Sequence, residues 1–275
     1  MLPPLAWAYG AGVMIAAMAK PKTKSKPPLP KPTARNVRKT SPPAKPISLY
    51  FWPTPNGKKI AIMLEETGLS YVLQPVNIGR GEQFKPEFLA ISPNNRMPAI
   101  VDPEGPGGKP ISVFESGAIL QYLGRKSGRF YPVADRARVA VEEWLYWQVG
   151  GLGPMAGQVH HFRNYVTEPQ PYATQRYINE VNRLYGVMDR RLGSRDYLAG
   201  SYSIADMAAF PWAVGAESKG QNIDDFPNVK AWIERVGRRS AVIRGMHVGA
   251  ELRSATYSLR DDEEAKKILF GQRSR

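Results

Sequence analysis

The stretch ISLYFWPTPNGKKIAIMLEETGLSYVLQPV, residues 47–76, decides the fold. Residues 47–51 predict a strand, and the turn that follows, with two prolines and Gly57, ends it. The next segment carries apolar residues at i, i+3 and i+4 up to Gly68, which predicts a helix. Residues 71–76 predict a second strand, so the chain opens with a βαβ unit.

The residues that follow extend this unit. A short helix is predicted over residues 86–91, and two short strands over residues 98–101 and 111–114 flank a Gly/Pro-rich turn. A further helix is predicted over residues 115–126. The order βαβαββα predicts a thioredoxin-like domain over residues 47–127.

The second half of the chain has no strand pattern after Tyr131. Helical periodicity occurs over residues 134–149, 173–192, 203–217 and 227–237. We therefore predict an α/β plus all-α fold, with an all-helical domain over residues 134–250. Ser203 and Asp206 have the spacing of a capping box at one helix start. Residues 251–275 are highly charged, which predicts a partly ordered C-terminal tail.

Positive charge is concentrated at the N-terminus. Residues 1–46 hold nine lysines and arginines and no acidic residue, so they carry nine of the net +14 charges and the rest carries +5. Residues 1–19 are apolar but lack the positive start of a signal peptide. A start at Met18 is therefore favoured over a signal peptide or an anchoring tail. Residues 20–46 contain eight prolines among repeated lysines, which predicts a disordered leader.

Charge also limits the class of partner. The basic leader is interpreted as a solubilising segment, with a tether to nucleic acid or another polyanion as the alternative. The mildly basic remainder suits small anions, and we expect neither nucleic acid nor a membrane as partner. The chain has no cysteine, so a disulfide framework, a thiolate metal site and a CxxC redox pair are excluded. Thiol chemistry would require a thiol from a substrate or cofactor.

The first candidate site is the turn Thr54-Pro55-Asn56-Gly57, between the first strand and the first helix. A helix N-terminus favours an anion, and a thiolate is such an anion. The Thr54 hydroxyl and the Asn56 amide can both donate a hydrogen bond to sulfur. The alternative interpretation is a simple turn with a helix cap, which Thr and Asn also form.

Two more junctions are candidates for binding. A cis Met97–Pro98 bond would direct the Met97 backbone toward the first turn, where it could pair with a peptide ligand; an edge-strand proline is the alternative. Glu115 and Ser116 stand where a strand meets a helix, and together they suit the ammonium and carboxylate of an amino acid. An ordinary helix start with Glu in the first turn explains this pair equally well.

Five segments stand out in order along the chain: TPNGKKIAIMLEE, EQFKPEFLAISPNNRMPAIVD, SVFESGAILQYL, WLYWQVGGLGPMAGQVHHF and YSIADMAAFPW. They resemble the nu-class glutathione transferases, a family of bacterial disulfide-bond reductases that is similar to the yeast prion-forming nitrogen regulator. The resemblance runs from about Ile47 to about Gly249.

The resemblance implies a homodimer that binds glutathione or glutathione disulfide. In this family pattern Thr54 and Asn56 contact the sulfur, in place of the Tyr, Ser or Cys of other classes. Gln83 holds the glycyl carboxylate. Met97, next to Pro98, pairs its backbone with the cysteinyl residue, and its replacement of a more usual Ile is expected to be harmless. The remaining contacts are those of Glu115 and Ser116 with the γ-glutamyl end and of Arg176 with the tripeptide.

The resulting hypothesis is a cytoplasmic glutathione-dependent thiol-disulfide oxidoreductase. Its substrates would be small disulfides and, weakly, organic hydroperoxides. Conjugation of glutathione to small electrophiles is the first alternative, because it uses the same activated sulfur. A non-catalytic glutathione-binding regulatory protein is the second, because fold does not fix function.

Some aromatic and histidine pairs invite other interpretations. His160 and His161 are adjacent and have no carboxylate at ligand spacing, so we expect no metal and place them along the cleft between the domains. Trp144 and Trp147 are three residues apart, which is more typical of a helix core face than of a substrate platform.

Overall fold

The structure, a computed structural model, describes residues 45–254 and 262–273. The leader expected over residues 1–46 lies outside the described residues except for its last two positions, and so does part of the charged tail. The residues that are described from Lys45 onward belong to one compact unit.

A four-stranded mixed sheet forms the first half. Its strands are β1 (Ile47–Phe51), β2 (Tyr71–Pro75), β3 (Ala99–Asp102) and β4 (Ile111–Phe114). They lie in the order β2-β1-β3-β4, with β1 parallel to β2 and β3 antiparallel to both its neighbours. Leu49 of β1 is fully buried, with Leu73 and Ile100 opposite it on the two sides. All four strands occur where the sequence predicts them.

Helices α1 (Pro55–Thr67), α2 (Pro86–Leu89) and α3 (Ser116–Ser127) complete this half. The start of α1 is fixed by Thr54, whose hydroxyl oxygen accepts a hydrogen bond from the Gly57 backbone N–H, and by Pro55 at the first helical position. Gly68 ends α1 in the left-handed conformation, φ 72°, which glycine adopts without steric cost. Short 3₁₀ turns occupy Ile78–Arg80 and Glu82–Phe84 between β2 and α2.

The second half is helical. Its helices are α4 (Asp135–Trp147), α5 (Gly153–Asn164), α6 (Pro171–Leu192), α7 (Ile204–Ala213), α8 (Pro227–Gly237), α9 (Ser240–His247), α10 (Glu251–Ser254) and α11 (Glu263–Phe270). A π-helical turn, Gln148–Leu152, joins α4 to α5. No strand follows β4 in the described part of the chain, so the α/β plus all-α fold is confirmed.

One expected helix is shorter than predicted. The pattern over residues 203–217 predicts a single helix, but α7 ends at Ala213 because Val214 has an extended backbone and Gly215 is left-handed. The capping box at its start is present: Ser203 and Asp206 exchange side-chain and backbone hydrogen bonds. The domain boundaries at 47–127 and 134–250 remain a prediction.

The two halves pack through α1, which contacts both α7 and α9. Gly245 of α9 lies so close to α1 that a Cβ atom there would be 2.6 Å from the Ile62 Cα. Buried side chains of both halves, such as Ile119 and Tyr185, belong to one continuous core. Among the residues described, no helix is long and apolar enough to cross a membrane.

Candidate active site

A cleft of about 1100 Å³ lies between the sheet half and the helical half. It brings together seven of the eight predicted site residues: Thr54, Asn56, Gln83, Met97, Pro98, Glu115 and Ser116. The opposite wall comes from α5, α7 and the turn after α7, and it includes His160, Tyr165, Trp212 and Lys219. Arg176 is not among the residues that line the cleft.

The first turn of α1 faces this cleft. The Thr54 hydroxyl oxygen accepts from the Gly57 backbone, and its proton is directed to the Met97 sulfur, 3.8 Å away. Gly57 is required here, since a Cβ would lie 2.4 Å from the Trp52 carbonyl oxygen. A helix N-terminus, a hydroxyl donor and the Asn56 amide therefore meet at one wall of the cleft, which is the combination that stabilises an anion such as a thiolate.

The Asn56 amide has a partner in the other half of the protein. The indole N–H of Trp212, on α7, donates to Asn56 Oδ1 at 2.9 Å. The sequence analysis missed Trp212, although it is the last residue of one of the five segments that carry the resemblance. Nothing local to α7 marks it as part of a site that begins 156 residues earlier.

The junction of β4 and α3 forms a second polar wall. Glu115 adopts φ 67°, which is uncommon for a residue other than glycine, and Asn94 donates to its carboxylate at 3.1 Å. The next residue, Ser116, is the first of α3, and its hydroxyl oxygen accepts from the Lys59 ammonium at 3.3 Å. Such strained positions concentrate at binding sites. Both Glu115 and Ser116 line the cleft.

Lys59 is buried behind this wall, and the sequence analysis did not single it out. Its ammonium donates to Gln148 Oε1 at 2.6 Å, on the π-helical turn, as well as to Ser116. Burial lowers the pKa of Lys59 to about 7, and the nearby Glu115 carboxylate partly opposes that shift. The amide Nε2 of Gln148 is buried and has no hydrogen-bond partner among the described residues.

Gln83 and Met97 occupy the remaining predicted positions on the sheet side. Gln83 is almost completely buried; its Nε2 donates to the Ile78 carbonyl at 3.0 Å, while its Oε1 has no partner among the described residues. The amino group of an amide carries two protons, so Gln83 keeps one donor for a ligand. The Met97–Pro98 peptide bond is cis, an isomer that the sequence alone left open.

The helical wall is polar near the turn after α7. The Lys219 ammonium donates to the Val214 and Gly215 carbonyl oxygens at 2.7 and 3.0 Å, and burial lowers its pKa to about 8. His160 Nε2 and the Tyr165 hydroxyl are 2.8 Å apart. Burial lowers the pKa of His160, and the nearby Lys219 and His161 lower it further. Of the adjacent histidines, only His160 lines the cleft.

Two pairs weighed from the sequence are the adjacent histidines and the tryptophans of α4. Within residues 45–254 and 262–273, no three His, Asp or Glu side chains are grouped as metal ligands would be. Trp144 and Trp147 pack edge to face, with centroids 5.2 Å apart, against the core, and neither lines the cleft.

The charged tail contributes to the cleft, which the sequence analysis did not anticipate. Leu269 of α11 lines it, and Phe270 packs on the His161 ring at 4.6 Å. Arg80, in the 3₁₀ turn after β2, pairs with Asp262 and with Glu264 of α11. The tail helix therefore contacts both halves beside the cleft.

Arg176 lies on α6, away from the cleft. Its side chain is 59% exposed, and its guanidinium is 4.0 Å from the Glu180 carboxylate. Glu180 also has a closer partner, Arg183, at 2.6 Å. The role of Arg176 in ligand binding stays a prediction.

The sheet half, the helical half and the cleft between them are those of a glutathione transferase. Family models of the "Glutathione S-transferase, N-terminal domain" and the "Glutathione S-transferase, C-terminal domain" match residues 45–125 and 160–240. The chain belongs to the glutathione S-transferase family.

Individual relatives carry names more specific than that of the family. The chain is similar to the "Disulfide-bond oxidoreductase YfcG" of Escherichia coli, with 51% identity over 197 residues that cover 71% of this chain and 92% of the relative. It is also similar to the "Disulfide-bond oxidoreductase YghU" of the same organism. The identity is 38% over 222 residues, which cover 75% of this chain and 76% of the relative. Two proteins named URE2, from Eremothecium gossypii and Candida glabrata, are 34% and 33% identical.

Solved structures agree with this placement. A glutathione transferase family member from Pseudomonas fluorescens, with two glutathione bound, is 47% identical with a TM-score of 0.70, over 73% of this chain and 92% of that one. A glutathione transferase from Pseudomonas putida, with one glutathione disulfide bound per subunit, is 42% identical with a TM-score of 0.70. The match covers 74% of this chain and 91% of that one.

Proposed function

We propose that the protein is a glutathione-dependent disulfide reductase. The observation that carries the proposal is the meeting of Thr54, Asn56 and the N-terminus of α1 at one wall of the cleft. This arrangement stabilises a thiolate, and the chain has no cysteine to supply one. The thiolate is therefore that of glutathione. The similarity to two disulfide-bond oxidoreductases of Escherichia coli supports the same reaction.

The reaction proceeds in two exchanges. The glutathione thiolate attacks one sulfur of the substrate disulfide; a new S–S bond forms, the old one breaks, and the departing sulfur leaves as a thiolate that takes up a proton. A second glutathione thiolate then attacks the glutathione sulfur of the mixed disulfide. Two glutathiones become glutathione disulfide, and the substrate becomes two thiols. An organic hydroperoxide would be reduced by the same two glutathiones to an alcohol and water.

The other predicted residues would hold the tripeptide. We propose that Glu115 and Ser116 bind its γ-glutamyl end, because a carboxylate and a hydroxyl on consecutive residues both line the cleft. The Met97 backbone, beside Pro98, would pair with the cysteinyl residue. The free donor of Gln83 would bind the glycyl carboxylate.

We further propose that the protein is a cytoplasmic homodimer. Two-step reduction needs glutathione in excess over its disulfide, which is the condition of a reducing compartment. Val139 and Tyr146 are exposed apolar residues seven positions apart on α4, so they share one face of that helix. An apolar helix face of this kind suits a subunit interface.

The test compares two assays on the same protein, reduction of 2-hydroxyethyl disulfide and conjugation of 1-chloro-2,4-dinitrobenzene. We expect the first to be the faster reaction and Asn56→Ala to lower it more than tenfold, because a hydrogen bond to a charged acceptor contributes roughly 1.5–3 kcal/mol. Asn179→Ala, at an exposed position on α6, is the matched control and should retain full activity. Faster conjugation than reduction would favour a transferase, and activity in neither assay would favour a regulatory binding protein.

A further inference from the structure

The indole N–H of Trp212 donates to Asn56 Oδ1 at 2.9 Å, and this hydrogen bond crosses from the helical half to the sulfur end of the cleft. The indole N–H can donate but cannot accept, so it selects the oxygen end of the Asn56 amide. The amide is thereby fixed about its last torsion. Its amino group, Nδ2, is left as the end available to the cleft.

The indole ring is itself held by packing. Gly153 and Gly157 are one turn apart on α5 and face the Trp212 ring. A Cβ atom at either position would lie 3.6 Å from that ring, so the ring packs against the backbone of α5. The ring is half-buried and also lines the cleft. Two helices of the second half thus set the position of the N–H that reaches Asn56.

We propose that Trp212 is a positioning residue for the bound glutathione sulfur: it orients the Asn56 amide so that its amino group donates to the thiolate. This inference rests on the proposed function, because it assigns Asn56 the sulfur contact. A freely rotating amide would offer sulfur its oxygen part of the time, and an oxygen lone pair repels a thiolate. Preorganised donors avoid that loss.

A structural role alone would make a different prediction. If the bond merely ties the two halves together, its loss lowers stability and leaves the bound thiol unchanged. If Trp212 acts through Asn56, its loss lowers the thiolate fraction of bound glutathione, and it has no further effect once Asn56 is gone. A double-mutant cycle separates the two cases.

The experiment titrates bound glutathione by the ultraviolet absorbance of its thiolate. Trp212→Phe keeps an aromatic ring and removes the N–H. We expect it to lower the thiolate fraction at neutral pH about threefold to tenfold, the effect of losing one well-placed hydrogen bond. The affinity for S-methylglutathione, which has no thiol to ionise, should stay within about twofold, since its other contacts remain. Trp144→Phe, outside the cleft, is the matched control and should behave as the unaltered protein.

The double variant Trp212→Phe/Asn56→Ala should match Asn56→Ala alone. The inference is overturned if Trp212→Phe leaves the thiolate fraction unchanged, or if its effect adds in full to that of Asn56→Ala. Disulfide reduction is assayed separately. A lowered thiol pKa without reduction of 2-hydroxyethyl disulfide would therefore refute the proposed function and leave the role of Trp212 standing.

A second measurement covers the case in which Trp212→Phe does not fold. The chain has six tryptophans, so the indole N–H spectrum of the ¹⁵N-labelled protein holds few signals. Asn56→Ala should change the chemical shift of one of these signals. Glutathione should change the chemical shift of the same signal more than S-methylglutathione does. Equal shifts with both ligands would contradict the inference, because they would show that the Trp212 contact does not sense the thiolate.

Discussion

The buried environment of Lys59 disfavours the charged form of its ammonium group. Its side chain is 2% exposed, and its ammonium reaches only the oxygens of Gln148 and Ser116 in the hydrogen bonds described. Because burial lowers its pKa to about 7, the charge of this group changes with pH near neutrality. A ligand carboxylate at Ser116 would favour the charged form. Ligand binding and protonation of Lys59 are thus expected to be coupled.

We therefore predict that affinity for S-methylglutathione falls as the pH rises from about 6 to about 8. Below its pKa Lys59 is an ammonium that attracts the γ-glutamyl carboxylate, and above it this attraction is lost. The fall over this range should be about twofold to fivefold, for a pKa that rises by roughly half to one unit on binding. Calorimetric titration across this range measures it. The methyl group on sulfur removes the ligand thiol from the titration.

The controls for this prediction are two substitutions of lysine by methionine. Lys59→Met should remove the part of the pH dependence that is centred near neutrality, while Lys230→Met, at an exposed ion pair with Asp224, should leave it intact. An affinity of the unaltered protein that does not change over this range would exclude the coupling.

Arg176 was predicted as a site residue from the family resemblance alone. It does not line the cleft. Its partner Glu180 keeps a second cation, Arg183, so Arg176 can turn toward a ligand without leaving that carboxylate unpaired. Glutathione disulfide carries twice the carboxylates of glutathione, and we expect its second half to extend toward the helical wall. An arginine contact should therefore matter more for the disulfide.

We predict that Arg176→Ala weakens glutathione disulfide binding by about 1–2 kcal/mol and weakens glutathione binding less. Titration of both ligands against both proteins tests this. Arg183→Ala, on the same helix face and bound to the same carboxylate, serves as the control for a change in surface charge. Should Arg176→Ala bind both ligands as the unaltered protein does, Arg176 is a surface residue without a role in binding.

The sequence predicted those cleft-lining residues that lie at junctions of strands and helices. Thr54 and Asn56 are two positions apart, Glu115 and Ser116 are adjacent, and the local pattern already places each pair at a helix start. Trp212 could not be found in this way, because its contact depends on how α7 packs against α1. A local pattern carries no information on such tertiary contacts.

At the scale of elements, the sequence predicted all four strands and most helices, and its errors have local causes. The segment QVGGLG looks like a loop because of its glycines, yet it forms the π-helical turn and the start of α5. The helix α11 is only eight residues long, so its own propensity is too weak to mark it. Contacts of its residues with Arg80 and His161 hold it instead.

The start of α7 is held by several hydrogen bonds to one buried carboxylate. The Asp206 carboxylate is fully buried and accepts from the Leu198 and Ser203 backbones, from the Ser203 hydroxyl and from the Trp232 indole. It thus joins the helix cap to the preceding loop and to α8. Replacing it would leave several buried donors without an acceptor.

We predict that Asp206→Ala lowers the free energy of unfolding by about 2–4 kcal/mol, the combined effect of a lost cap and stranded buried donors. Chemical denaturation followed by circular dichroism measures the change. Asp135→Ala, at the exposed first turn of α4, removes an aspartate from the same type of position and should cost less than about 0.5 kcal/mol. Similar losses for both variants would show that the network around Asp206 is not what stabilises α7.

At the scale of the whole molecule, the cleft exists only because both halves are present and closely packed. The sulfur end is built by α1 of the sheet half, and α7 of the helical half contacts both α1 and the Asn56 amide. Small residues such as Gly245 allow the helices to approach this closely. The first half alone would keep Thr54 and Asn56 but would lack the partner that orients the amide.

The last prediction concerns assembly. Tyr146 is 60% exposed and Val139 is 51% exposed on one face of α4, so a monomer would leave two large apolar groups in water. Burial at a subunit interface would remove them from water, with a gain of about 25 cal/mol per Å². We expect sedimentation velocity to find a dimer at micromolar concentration and Tyr146→Glu to shift it toward monomer, because the introduced carboxylate would be buried without a partner. Tyr172→Glu, at a tyrosine 85% exposed on α6, introduces the same charge elsewhere and should leave the dimer intact. A monomeric unaltered protein would refute the assembly, and equal dissociation by both variants would place the interface away from this face of α4.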